Sequence, residues 1–100
     1  MNEHVIAEFA ICPVGTATPE VSKYVRACID ILKKTQGIKY ELNSMGTTLE
    51  GPLTLIMEIF LEMNEVPFAM GAQRVYSVIK IDDRRDKEAS IASKMKAVSQ

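Results

Sequence analysis

The sequence predicts an α+β fold: one four-stranded antiparallel sheet, two helices packed on one of its faces, and a third helix at the C-terminal end. Two patterns carry this. Four stretches alternate apolar and polar residues with a period of two, and three others repeat apolar residues at helical spacing, in the order βαββαβα. Gly, Pro and Asn separate them where turns are needed. Composition supports a single domain over residues 1–100, with 47% apolar and 25% charged residues, ordinary for a globular chain.

The first strand is predicted over about 3–12. Val5, Ala7, Phe9 and Ile11 form one face, and Ile6, Glu8, Ala10 and Cys12 the other. "PVGTATPE" breaks it, with Thr18 as N-cap and Pro19 at the first helical position. The helix over about 19–36 carries Val21, Val25, Cys28 and Leu32 on one stripe, and Gly37 stops it. A second strand at 38–43 and a third at 46–50 flank "NSMG", a hairpin turn. Gly51-Pro52 opens a second helix bearing Leu53, Ile56, Met57, Phe60, Leu61 and Met63, with a break or kink expected at Val66 before Pro67. A fourth strand follows at about 73–82. The last helix runs over about 87–98 with Asp86 as its N-cap.

This order is the split βαβ plan, a ferredoxin-like βαββαβ sandwich with strand order 4-1-3-2 plus a C-terminal helix. The first and third strands are expected to end at one edge, where both main helices begin. The fourth is expected to end at the opposite edge, near the hairpin. The helices should cover Phe9, Leu42, Leu49 and Ile79. The other face carries Ile6, Ala10, Cys12, Tyr76 and Val78, too apolar for water, and predicts self-association as a dimer or tetramer. Glu8 and Lys80 read as a cross-strand ion pair on that face.

Several function classes are excluded. A net charge of −1 leaves no basic footprint for nucleic acid. The longest apolar stretch, near Leu53–Leu61, is too short to span a bilayer, and the N-terminal residues read as mature protein. Two separated cysteines, Cys12 and Cys28, read as packing groups in a reduced, cytoplasmic setting. With His4 the only histidine, neither a closed metal site nor a Ser-His-Asp triad is expected, and no cofactor is called for. The acids fall mostly in turns, caps and ion pairs, so the chain reads as a non-enzyme.

Three segments, "CPVGT", "YELNSMGTTLEG" and "RVYSVIKIDDRRD", occur in an order and spacing that resembles the thiamine-binding protein family, the group that includes the YkoF-like proteins. The resemblance covers essentially the whole chain. It implies a ferredoxin-like fold, homo-oligomers in which subunit sheets associate, no established catalysis, and binding of thiamine or its hydroxymethylpyrimidine part. The function expected is therefore non-catalytic binding of such a small molecule; the alternative is an oligomeric regulatory or interaction module with another ligand or protein partner.

Five residues are candidates for a ligand site. Thr47 and Ser77 point into the helix-covered face, flanking the first strand where Ala7 leaves room, and Tyr40 supplies a ring. Glu50 offers a carboxylate where the third strand meets the second helix. Thr16, with Thr18, lies at the edge where two helix N-termini are expected to converge on an anion. Buried hydroxyls bonded to nearby groups and ordinary capping remain open as alternatives. The six consecutive charges Asp82–Lys87 suit an ion-pair network at a turn or between subunits, with a solvated turn or an anion site as alternatives.

Overall fold

The computed structural model describes residues 3–17, 19–87 and 90–99. Its elements are β1 (Val5–Val14), α1 (Ser22–Lys34), β2 (Lys39–Asn43), β3 (Gly46–Gly51), α2 (Leu53–Ala69), β4 (Arg74–Asp82) and α3 (Ile91–Val98). The strands make one antiparallel sheet ordered β2-β3-β1-β4, the ferredoxin-like order read from the other edge. β1 runs two residues beyond its expected end, through Pro13. Its pairing with β3 stops at Phe9 while that with β4 continues to Val14, so Pro13 has only one neighbouring strand.

Alternation sorts the sheet into two faces. Val5, Ala7, Phe9 and Leu49 meet Cys28 and Leu32 of α1 and Ile56, Ile59 and Met63 of α2 in one core. Phe9 packs edge-on against Phe60 with ring centroids 5.1 Å apart. On α1 the buried residues are Tyr24, Cys28 and Leu32, at four-residue steps, whereas Val25 is turned outward instead of joining the expected stripe. Leu42, expected under the helices, is 52% exposed because it sits at the far end of the edge strand β2.

Of the break or kink expected at Val66, the break does not occur. α2 continues through Pro67 and ends two residues later at Ala69. A proline in a helix has no N–H for the carbonyl four residues back, here Met63. The Cys28 thiol, reaching over from α1, donates to that carbonyl at 3.6 Å. Burial pushes the Cys28 pKa up, which keeps it protonated and able to donate.

The strand ends differ from expectation. Val5 pairs with Gly51 and Ile6 with Asp82, so β3 and β4 both end beside the start of β1. Antiparallel neighbours must end at opposite edges. α1 and α2 therefore begin at opposite ends of the sheet, and no pair of helix N-termini converges on the loop carrying Thr16. The exit from β4 also lies away from the hairpin, which sits at the level of Phe9 and Ala10. Thr18 falls outside the described residues.

The charged run resolves into two local pairs. Arg84 donates to Asp86 through Nε at 2.6 Å and Nη2 at 2.9 Å, and Arg85 donates to Asp83 at 3.2 and 2.9 Å. The Arg84 guanidinium holds the Asp86 carboxyl at a pKa of about 2, so this exposed pair persists until the pH falls through that value. With its carboxylate engaged by Arg84, Asp86 does not cap the last helix. Ser90 does: its Oγ accepts from Ser93 N at 2.9 Å, and Ser93 Oγ accepts from Ser90 N at 3.0 Å. Ser90→Ala is expected to lower stability by about 1 kcal/mol and to loosen α3 selectively, while Asp86→Ala leaves α3 in place. Thermal melts combined with hydrogen exchange of the α3 amides check this; equal protection in Ser90→Ala and wild type would contradict it.

α3 lies across the second face of the sheet. Its first amide meets Glu50 of β3, and Lys94 pairs with Asp82 of β4, so it spans the row in which Ile6 sits between those two acids. The next row holds the expected ion pair, with Lys80 Nζ 2.9 Å from Glu8 Oε1. Beyond that pair the face is bare, with Tyr76 64% and Val78 42% exposed.

Candidate functional site

The arrangement with most chemical content is a groove of about 430 Å³ between β2 and α3. Ile38, Lys39, Tyr40 and Glu41 form one wall, Ile91 and Ala92 the other, and Glu50 lies between them. The pleat explains the set. Lys39 pairs with Glu50 and Glu41 with Thr48, so Lys39, Glu41 and Glu50 share the face that α3 crosses. Tyr40 and Ile38 have the opposite parity and pack against the core, so they border the groove from the edge strand β2.

Glu50 is 5% exposed, although it sits on the sheet face away from the core. A carboxylate taken out of water needs donors. Its Oε2 lies 3.2 Å from His4 Nε2, and its Oε1 accepts the Ile91 N–H at 3.4 Å. His4, just before β1, and the first residue of α3 thus converge on one acid from separate elements.

The five predicted residues divide into three groups. Tyr40 and Glu50 come together in the groove. Thr47 and Ser77 lie on the helix-covered face, opposite Phe9 and Ile11 respectively, not beside Ala7. Phe9, 2% exposed, fills the space between them. Ser77 Oγ donates to Asn64 Oδ1 of α2, which ties the sheet to that helix. Thr16 is at the far end of the sheet, past the last residue of β1. Sequence reasoning missed His4, Ile38, Lys39, Glu41, Ile91 and Ala92. Strand parity was a usable signal for Lys39 and Glu41; His4 and the α3 residues depend on how α3 docks.

Among the described residues no group of three His, Cys, Asp or Glu side chains is placed to hold a metal ion, and no helix is long and apolar enough to cross a membrane.

Comparison with known proteins agrees with the fold. Over 97 residues the chain is 42% identical to the UPF0045 protein YqgV of Bacillus subtilis, covering 94% of this chain and 93% of that one. The crystal structure of the MJ1052 protein of Methanocaldococcus jannaschii superposes with a TM-score of 0.86 at 42% identity, covering 97% of each chain. A Thermotoga maritima protein provisionally ascribed to thiamine biosynthesis or salvage shares the fold at a TM-score of 0.77 and 21% identity, with 94% of this chain and 97% of that one covered. The family model described as "Thiamine-binding protein" matches residues 7–99. With that match over nearly its whole length, the chain belongs to the thiamine-binding protein family.

Proposed function

We propose that this protein is a non-catalytic, cytoplasmic binder of thiamine or a hydroxymethylpyrimidine-related compound, and that the ligand sits in the groove formed by Tyr40, Glu50 and the start of α3. Family membership supports the ligand class. The observation that carries the location is Glu50: a nearly buried carboxylate, held by two donors, opening onto a groove with a tyrosine in its wall. Such a pocket offers an apolar surface with a few fixed polar groups, which suits a flat heteroaromatic cation. Titration calorimetry is expected to show saturable heat with thiamine and with hydroxymethylpyrimidine. Tyr40→Ala should weaken binding about tenfold, or about 1.4 kcal/mol. Thr47→Val and Ser77→Ala, across the sheet, should leave it unchanged. Absence of both heat and thermal shift at saturating ligand would overturn the ligand; loss of binding in the Thr47 and Ser77 variants alone would move the site between sheet and helices.

The alternative, an oligomeric regulatory or interaction module, draws on the bare half of the second sheet face around Ala10, Cys12, Tyr76 and Val78. Both readings carry the same expectation of a homo-oligomer, dimer or tetramer, that covers this patch. Light scattering at micromolar concentration is expected to give a multiple of the chain mass, and Tyr76→Glu to reduce it. A wild-type monomer would remove the expectation.

A further inference from the structure

Among the described residues, β4 is an edge strand with no neighbour on its outer side. Natural edges are blunted by shortness, proline, bulges or unmatched charges. The opposite edge, β2, is five residues long and carries Lys39 and Glu41. β4 has none of these devices. Its nine residues pair with β1 without a bulge, it contains no proline, and its one central charge, Lys80, is matched by Glu8. Such an edge leaves a row of backbone donors and acceptors open to a further strand.

The strand is complementary to itself. Facing residues in an antiparallel pair share a sheet face, so a twofold axis between two copies of β4 must pass through a residue. An axis at Ser77 sets Arg74 opposite Lys80 of the second copy, two like charges. An axis at Ile79 leaves Arg74 and Val75 facing residues past the end of the strand. An axis at Val78 matches all nine: Arg74 faces Asp82, Val75 faces Ile81, Tyr76 faces Lys80 and Ser77 faces Ile79. Asp82 meets Lys94 through one oxygen, which leaves the other for an arginine. α2 points to the same edge. Met57, Leu61, Asn64 and Phe68 lie along one of its flanks. Asn64 accepts from Ser77 of β4, so that flank looks over the open strand. There Leu61 is 63% and Phe68 41% exposed, two large apolar side chains beside an unpaired edge.

We propose that a second copy of this chain adds its β4 antiparallel to this one about Val78. The two four-stranded sheets become one continuous sheet. The Leu61–Phe68 flanks of the two α2 helices then face each other above the joined strands. This contact is separate from the cover expected over the bare half of the second face. It lies at the edge, and it sets the bare patches of the two copies side by side as one larger apolar surface. It also leaves the groove at β2, on the far edge of each sheet, open.

The test traps the register in the full chain carrying Cys12→Ser. Facing residues of an antiparallel pair lie within disulfide reach. The double variant Val75→Cys/Ile81→Cys is therefore expected to become a covalent dimer on mild oxidation. Either single variant should stay unlinked, because its two cysteines would stand ~20 Å apart. Val75 and Ile81 are on the helix-covered side, so a contact between bare faces cannot bridge them. In sedimentation, Leu61→Lys, at an exposed helix position, should weaken self-association about tenfold, since it places a charge in an apolar contact. Arg74→Glu should do the same at low salt by facing Asp82. Tyr76→Glu faces Lys80 of the second copy and should leave the disulfide trap intact. The edge contact is overturned if the folded double variant fails to link, if either single variant links as readily, or if Tyr76→Glu abolishes the link. Wild-type sedimentation of both Leu61→Lys and Arg74→Glu would also overturn it, and decides alone if the cysteine pair does not fold.

Discussion

Phe9→Ala is expected to remove most of the stability of the domain. Phe9 is at the centre of the helix-covered face, nearly inaccessible, and its ring meets Phe60 edge to face. Truncation leaves a cavity between β1 and α2, two elements fixed by the backbone of the sheet and by the Ser77–Asn64 bond. They have little freedom to collapse into it. Phe→Ala losses in such cores run to about 3–5 kcal/mol, against a total of about 5–15 kcal/mol for a domain. Denaturant unfolding should show a large fall in midpoint, with the groove residues losing order only as the sheet does. A midpoint close to wild type would mean that the helix layer is far more adaptable than its contacts imply.

Gly46→Ala is expected to be the most damaging substitution outside the apolar core. Here the issue is approach, not conformational freedom. A Cβ at this position would stand 2.6 Å from the Phe9 carbonyl oxygen, which is backbone and cannot rotate away. Either the hairpin lifts from β1 or the β1–β3 ladder shifts. Overpacking alone costs about 1–3 kcal/mol, and weakened pairing from Phe9↔Thr47 toward Ala7↔Leu49 adds to it. Because β2 is attached to the sheet only through β3, the wall of the groove bearing Lys39, Tyr40 and Glu41 should loosen with it. Hydrogen exchange at Thr47 and Leu49 reads this directly; wild-type protection there would show that the clash is absorbed locally.

The strand order was legible because four period-two segments joined by two helices and one tight hairpin leave few arrangements. Val5, Ala7, Phe9 and Leu49 fell on the right face for the same reason. The strand directions were misjudged, although antiparallel pairing of β1 and β3 alone dictates that their ends lie apart. With that error went the converging helix N-termini and the anion role for Thr16. Local competition explains the misplaced start of α3. Asp86 is a good cap by type, but Arg84 two residues before it takes the carboxylate, and the reciprocal Ser90–Ser93 bonds begin the helix later. The position of Ser90 in turn sets Ile91 against Glu50. The candidate groove was therefore half visible, through Tyr40 and Glu50, and its other half waited on a cap that depends on an arginine.

The hydrogen bond from Cys28 to Met63 links two positions far apart in the chain. Pro67 vacates the Met63 carbonyl, and Cys28 occupies it. The merit of either residue thus depends on the other. With Pro67 in place, Cys28→Ala strands a buried acceptor; with alanine at 67, the helix supplies its own N–H, and a thiol at 28 becomes one small apolar group among several. Positions 28 and 67 should accordingly drift together between relatives, so that a chain without the proline is free to lose the cysteine.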